Sequence, residues 1–172
     1  AARLRGAEVT LLHGPLQVPV AWLEGLRCEP FTSAAELEGL LQCHQPEVDA
    51  VLMAAAVADQ RLREPLRHKL AKDELQQWLL QPSHWEAVPD LLMQLVQRRR
   101  PGQILFGFAA QSGDVLPEAQ AKWARKGCDL LFANPIDQAE AGFGSAVNEG
   151  WLLQQGQAPL RIESCRKLAL AH

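Results

Sequence analysis

The residues from 54 to 59, Ala-Ala-Ala-Val-Ala-Asp, have the composition of a ligand-binding turn. Their alanines would let a ligand approach the backbone closely, because they present only methyl groups. Asp59 supplies a carboxylate, and Lys69 and Lys72 supply ammonium groups, which suit a base, a ribose or a metal–phosphate assembly. The same residues would also make an ordinary surface loop with solvated charges, and composition alone favours that alternative.

Two further segments offer an aromatic ring and a pair of lysines. Phe108 lies in the sequence Gly-Phe-Ala-Ala-Gln of residues 107–111, where small neighbours leave room for a base or a sugar beside the ring. Lys122 and Lys126 are four residues apart, so a helix would carry both ammonium groups on one face, where they could meet a polyphosphate. A core phenylalanine and a solvated helix face are the alternatives.

The elements that must position these residues alternate between strands and helices. Apolar or β-prone runs predict strands at residues 7–13, 26–29, 48–56, 77–80, 103–109, 129–133, 151–153 and 160–162. Capping and amphipathic patterns predict helices at residues 33–43, 90–98 and 117–126 and a last one starting near Ser164. Residues 57–72 and 134–150 show neither pattern and are predicted to be loops.

This alternation, with several strands that are near-continuous apolar runs, predicts an α/β fold with a mainly parallel sheet. The last two strands form a predicted hairpin that turns at Gln155 and Gly156. No repeat or linker divides residues 1–172, so we expect a single domain. In open parallel sheets, ligands bind beyond the carboxyl ends of the strands, which is where the candidate segments lie.

Composition excludes several classes of protein. The chain has 172 residues, 48% of them hydrophobic, and a formal net charge of −3 with both signs interspersed. These values fit a globular domain and do not suggest a nucleic-acid groove or a basic membrane patch. The four cysteines are widely spaced and the five histidines lack metal-ligand spacing, so we expect reduced cysteines in the cytoplasm and no structural metal site. No apolar run is long enough to span a bilayer.

The candidate segments occur in the order in which a known family carries them. The matching residues are 5–15, 54–59, Lys69, Pro89, Asp90, 107–110, Lys122, Lys126, 129–134, 142–145 and Asn148. Each motif alone is weak, but the ordered set is specific and covers nearly the whole chain. On these residues the sequence resembles the phosphopantothenoylcysteine synthetase (phosphopantothenate–cysteine ligase) family, whose bacterial members commonly follow a flavin-dependent decarboxylase domain in proteins of coenzyme A biosynthesis.

The resemblance implies a Rossmann-like three-layer fold with a small C-terminal β-hairpin, which binds CTP together with Mg²⁺. The implied reaction joins 4′-phosphopantothenate to cysteine. The carboxylate attacks the α-phosphate of CTP, which gives an acyl-cytidylate and pyrophosphate, and the amine of cysteine then displaces CMP. The resemblance further implies a cytoplasmic homodimer with small-molecule substrates and no nucleic-acid or membrane partner. FMN is implied only where a decarboxylase domain is fused upstream.

The resemblance also assigns roles to individual residues. Met53, Ala54 and Ala55 would line the nucleotide through their backbones, and Asp59 would contact the base–ribose or metal region. Lys69 would contact the triphosphate and is the implied catalytic residue. Three further residues would complete the pocket, namely Phe108, Lys122 and Lys126. A loop would close over the base, and it consists of Val88, Pro89, Asp90 and Leu91.

The chain departs from the family pattern in two ways. It opens with Ala1 and Ala2 and no Met, so we expect the family's Gly-rich first turn and its Asn-x-Ser-Ser-Gly segment to lie upstream. That segment helps to hold phosphopantothenate, and the chain alone is therefore expected to have little activity. Residues that differ from the usual family residue are Gln60, Val88, Pro135, Ala146 and Cys165.

Two other functions compete with the ligase. A nicotinamide-dependent Rossmann reductase would show the same alternation, but it needs a Gly-x-Gly-x-x-Gly turn, which residues 1–172 lack. A nucleotide-binding or dimer-forming scaffold without catalysis is favoured by the departures at Ala146 and Cys165. An upstream Asn-x-Ser-Ser-Gly segment would support the ligase, and an upstream dinucleotide fingerprint would support the reductase.

Overall fold

The computed structural model describes residues 1–16, 18–64, 66–137 and 145–172. Its strands are β1 (Thr10–His13), β2 (Arg27–Pro30), β3 (Ala50–Met53), β4 (Gln60–Leu62), β5 (Trp85–Ala87), β6 (Ile104–Gln111), β7 (Leu130–Pro135), β8 (Val147–Gln154) and β9 (Leu160–Arg166). Its α-helices are α1 (Ala34–His44), α2 (Lys72–Leu79), α3 (Leu91–Arg98), α4 (Val115–Lys126) and α5 (Lys167–Leu170). Contacts divide the chain into a larger unit, residues 1–55 and 91–172, and a smaller unit, residues 56–90.

A five-stranded sheet in the order β3-β6-β7-β8-β9 forms the core of the larger unit. β3, β6 and β7 are parallel to one another, whereas β8 is antiparallel to β7 and β9 is antiparallel to β8. β1 and β2 form a separate parallel pair. The predicted α/β fold with a mainly parallel sheet is therefore confirmed. The predicted C-terminal hairpin is present, but it extends the main sheet because β8 pairs with β7.

One face of this sheet packs against helices. Leu105, Leu131 and Leu153 point to that face from adjacent strands, and each is at most 1% exposed. α4 packs against β6, β7 and β8. The side chain of Leu92 in α3 lies 2.8 Å from the position that a Cβ of Gly107 would occupy. Burial of each leucine of this kind contributes about 1.5–3 kcal/mol, so this face is the main source of stability.

The start of α1 agrees with its sequence signal. The Glu36 amide donates to the Ser33 hydroxyl at 3.2 Å, and the Thr32 amide donates to the Glu36 carboxylate at 2.6 Å. These reciprocal bonds satisfy backbone donors that a helix N-terminus otherwise leaves without partners. The bonds from Thr32 also lower the pKa of Glu36, because they favour its charged form.

The smaller unit contains the antiparallel pair β4 and β5, together with α2. Arg61 and Glu86, which are paired across the two strands, form an ion pair at 2.7 Å. The ring of Trp78 in α2 stacks on His84, with centroids 4.3 Å apart. Local contacts of this kind hold the unit together, since none of the residues of its helix α2 is buried.

Two predictions in the region of the smaller unit were wrong. Residues 77–80, predicted as a strand, belong mostly to α2, because the acidic first turn of Asp73 and Glu74 favours a helix and a short apolar run does not by itself indicate a strand. Residues 57–72, predicted as a loop, contain β4. That strand is stabilised by its pairing with β5, which its own three residues do not reveal.

Two predictions near the C-terminus were also wrong. The helix expected from Ser164 begins only at Lys167, because β9 stays paired with β8 as far as Arg166. The loop expected at residues 134–150 is shorter, since β7 continues to Pro135 and β8 begins at Val147. Residues 142–144 of the family motif lie outside the described residues. Among the helices that the structure describes, none has the length and apolar character needed to cross a membrane.

Gly150 lies in β8, where the strand passes close to the backbone of β7. A Cβ there would collide with the carbonyl oxygen of Ala133 and would lie 3.0 Å from the Phe132 ring. We predict that Gly150→Ala lowers the free energy of unfolding by about 1–3 kcal/mol or more, because backbone and not a flexible side chain must move. Urea denaturation measures this change.

Gly39 in α1 provides the control, since a Cβ at that position meets nothing within 4 Å. Gly39→Ala should leave stability unchanged or raise it by about 0.5–1 kcal/mol, because alanine restricts the unfolded chain more than glycine does. Equal stability of the two variants would contradict this account of the β7–β8 contact.

Candidate functional site

The carboxyl end of β3 lies beside the middle of β6. Met53 is the last residue of β3 and is paired with Gly107. The strand then ends in a tight turn, in which the Ala54 amide donates to the Leu52 carbonyl at 3.2 Å. Ala54 and Ala55 are exposed. Their backbones are therefore open to a ligand at the edge of the sheet where parallel α/β folds bind one.

Phe108 lies on the sheet face opposite α3 and α4, since its neighbours Leu105 and Gly107 point toward those helices. Its ring stacks on Phe106 with centroids 4.6 Å apart and meets Phe132 edge-on at 6.4 Å. The residue remains 36% exposed. Two aromatic neighbours thus hold a ring that still offers surface on which a base or sugar could pack.

Lys122 and Lys126 lie in the second half of α4, one turn apart as predicted. α4 covers the helix face of the sheet and ends at Gly127, shortly before the amino end of β7. The two lysines are therefore close in sequence and on one helix, but the structure does not bring them to the face that carries Phe108. Lys126 lies toward the amino-terminal edge of the strands.

The smaller unit holds the remaining predicted contacts except Leu91. The Val88 amide donates to the Asp59 carbonyl at 3.0 Å, so the loop of residues 88–90 begins next to Asp59. Lys69 is exposed in the segment before α2, and Lys72 is the first residue of that helix. The bond between Val88 and Asp59 therefore makes neighbours of two predicted parts of the site, Asp59 and the loop of residues 88–90.

Leu91 differs from the other predicted loop residues. It is the first residue of α3, in the larger unit, and it is 4% exposed. Its side chain belongs to the hydrophobic core. Only its backbone is left for the nucleotide contact that the family resemblance implies.

Two hydrogen bonds fix the chain beyond the carboxyl ends of β6 and β7. The sequence did not indicate either of them. The Gly113 amide donates to the Asp137 carboxylate at 2.8 Å, and the Ile136 amide donates to the Gln111 carbonyl at 3.0 Å. Gly113 has a φ of +73°, a conformation that favours glycine. No sequence pattern links residues 24 positions apart, so only the fold reveals Asp137 as a support for this region.

Cys128 lies behind Gly107, with its sulfur 3.3 Å from the position of a Gly107 Cβ. Burial raises the pKa of its thiol, because a thiolate loses hydration there. Cys128 is 4% exposed, so its sulfur packs in the core of the larger unit and is not open to a substrate. Among the described residues, no three His, Cys, Asp or Glu side chains lie close enough together to hold a metal ion.

A mainly parallel sheet with helices packed on it makes the larger unit a Rossmann-like α/β fold, and the open turn at the end of β3 lies where such folds bind ligands. Comparison with known proteins gives the family. The chain belongs to the family of the DNA/pantothenate metabolism flavoprotein C-terminal domain, whose model matches residues 1–172.

Individual relatives agree with this family. The coenzyme A biosynthesis bifunctional protein CoaBC of Mycolicibacterium smegmatis is 35% identical over 178 residues, which cover 97% of this chain and 41% of that protein. The chain spans 41–42% of the length of this relative and of the CoaBC protein of Mycobacterium bovis, which is 36% identical over 181 residues.

Two solved structures share the fold. The C-terminal domain of a CoaBC protein has a TM-score of 0.74 at 24% identity, covering 99% of this chain and 72% of that chain. A Cab2 variant in complex with phosphopantothenate-cysteine has a TM-score of 0.60 at 17% identity, covering 84% of this chain and 49% of that chain. At these identities the likeness concerns the fold.

Proposed function

We propose that this chain is the ligase domain that joins 4′-phosphopantothenate to cysteine, with CTP as the activating nucleotide. The observation that carries the proposal is the family match, which extends over residues 1–172. The CoaBC relatives are named for coenzyme A biosynthesis, and the Cab2 structure contains phosphopantothenate-cysteine, the product of such a ligation. The ordered motifs of the sequence support the same activity.

The reaction needs a nucleotide because a carboxylate is a poor acylating agent. A carboxylate oxygen attacks the α-phosphorus of CTP, and the bond to the β-phosphate breaks, so pyrophosphate leaves. The amine of cysteine then attacks the acyl carbon, CMP leaves with the former carboxylate oxygen, and the nitrogen loses a proton. Negative charge shifts onto phosphate oxygens in the first step, and preorganised cationic groups stabilise it.

In this proposal the open turn at the end of β3 receives the nucleotide. The backbones of Met53, Ala54 and Ala55 line it, and the exposed surface of Phe108 packs against its base or sugar. Lys69 contacts the triphosphate. Its side chain is exposed, so a phosphate group can reach it.

Asp59 and the loop that begins at Val88 act at the base–ribose or metal end of the nucleotide. The hydrogen bond from the Val88 amide to the Asp59 carbonyl supports a shared role for them. Mg²⁺ commonly takes one or two carboxylates from the protein and its other ligands from phosphates and water, so a single Asp59 carboxylate fits that ion. The family resemblance also assigns Lys122 and Lys126 to the nucleotide, but both lie on α4, on the sheet face opposite Phe108, so the site proposed at the end of β3 does not depend on them.

We also propose this activity for a protein that is longer than the chain. Within the described residues, β3 pairs with β6 on one side only and β1 pairs with β2 on one side only. A further strand, contributed by another part of a longer protein, would pair with such a free edge. The homodimer, the cytoplasmic location and any FMN-dependent decarboxylase domain belong to the same proposal.

The first test is nucleotide preference. We predict that the protein binds CTP at least about tenfold more tightly than ATP or UTP in calorimetric titrations with Mg²⁺, because a site that hydrogen-bonds one base edge leaves its groups unpaired with another. UTP is the matched control, since it has the same ring size as CTP but a different hydrogen-bonding edge. Equal affinity for CTP and UTP would contradict the proposed cytidine site.

The second test compares two neighbouring lysines. In a protein that includes the upstream segment, Lys69→Gln should lower the rate of pyrophosphate release by about 10²–10³, because a preorganised charge partner of the departing pyrophosphate is lost. Lys72→Gln is the control, since Lys72 is an exposed residue at the start of α2 and its loss should have little effect. Circular dichroism checks folding. Similar losses in both variants would contradict the role of Lys69.

A further inference from the structure

A cavity of about 640 Å³ lies at the amino-terminal edge of the main sheet, at the opposite ends of the strands from the proposed nucleotide site. It lies where β6 and β7 begin and where β8 turns toward β9. Its main lining residues are Arg99, Arg100, Ile104, Asp129, Gln154 and Gln155, all in the larger unit. Its volume is typical of sites for small molecules.

The wall that carries the two arginines is held by a buried amide. The side chain of Gln103 is 5% exposed, and its Nε2 donates to the Gln45 carbonyl at 2.8 Å and to the Val48 carbonyl at 2.6 Å. The turn before it contains Pro101 and Gly102, and the φ of +81° at Gly102 suits glycine. This wall is therefore fixed before any ligand binds, which reduces the entropy lost on binding.

Each of the two guanidinium groups donates a hydrogen bond to another part of the larger unit. Arg99 Nη1 donates to one oxygen of Asp129 at 2.9 Å, and Arg100 Nη2 donates to the Val48 carbonyl at 2.9 Å. The other Asp129 oxygen accepts from the Leu105 amide at 2.8 Å, which fixes the carboxylate. Each of these arginine bonds uses one of five N–H donors. The cavity therefore combines two positive groups with one negative group and favours an anion.

We propose that this cavity binds a small phosphate-bearing molecule at a site separate from the nucleotide site. The guanidinium groups of Arg99 and Arg100 contact the phosphate, because the planar fork of arginine matches phosphate oxygens. The side-chain amides of Gln154 and Gln155 contact the polar remainder of the ligand, and Ile104 packs against its apolar part. The proposal does not depend on the ligase activity, since substrates of parallel α/β folds bind at the other edge of the sheet.

The test is a titration of ¹⁵N-labelled protein with inorganic phosphate, followed by NMR. We expect saturable shifts of the Gly102 and Gln103 backbone amides and of the Gln155 side-chain amide. The amides of Ala54 and Ala55 should shift independently, with a different midpoint or not at all. Arg100→Gln should weaken the binding at the cavity at least about tenfold, because hydrogen bonds to charged groups are strong. Arg98→Gln, two residues earlier at the end of α3, is the control and should change the binding less than about twofold.

A second pair of variants leaves both arginines, and their hydrogen bonds to the protein, unchanged. Gln155→Glu places a negative charge in the cavity and should abolish the phosphate-dependent shifts. Gln157→Glu adds the same charge on the same turn without lining the cavity, and it should preserve them. Shifts that do not saturate, or that are lost equally in both glutamate variants, would overturn the proposal.

Discussion

At the centre of β6, Gly107 leaves a space that three other side chains fill. Leu92 of α3, Leu131 of β7 and the sulfur of Cys128 all lie within 3.3 Å of the position that a Cβ would take. This close approach seats the helices on one face of the sheet. Because side chains alternate along a strand, it also commits Phe108 to the opposite face. The parallel register that pairs Met53 with Gly107 then brings the end of β3 beside that ring.

The parts of the fold that the sequence predicted are those with strong local signals. α1 begins after a capping serine, α3 has apolar residues at helical spacing, α4 ends at a glycine, and β3, β6 and β7 lie in apolar runs. The wrong predictions share a cause, which is dependence on distant partners. β4 exists because β5 pairs with it, and β9 extends past Ser164 because β8 pairs with it there. A short segment contains no information about such a partner.

The candidate site shows the same division. Family motifs pointed to Asp59 and Val88 as parts of one site, and the backbone bond between them is consistent with that. The motifs did not indicate that Lys122 and Lys126 lie on the helix face, away from the ring of Phe108, because side-chain direction depends on how α4 packs. Nor did they indicate Asp137 or the arginine-lined cavity, which join positions far apart in the chain.

The central claim is that the carboxylate of 4′-phosphopantothenate is activated by attacking the α-phosphorus of CTP. The most direct measurement supplies full-length protein with CTP, cysteine and 4′-phosphopantothenate that carries oxygen-18 in its carboxylate, and locates the label by mass spectrometry. The account predicts that one labelled oxygen passes to each CMP and that pyrophosphate stays unlabelled. Label in pyrophosphate or inorganic phosphate, or product formed while CMP remains unlabelled, would contradict it.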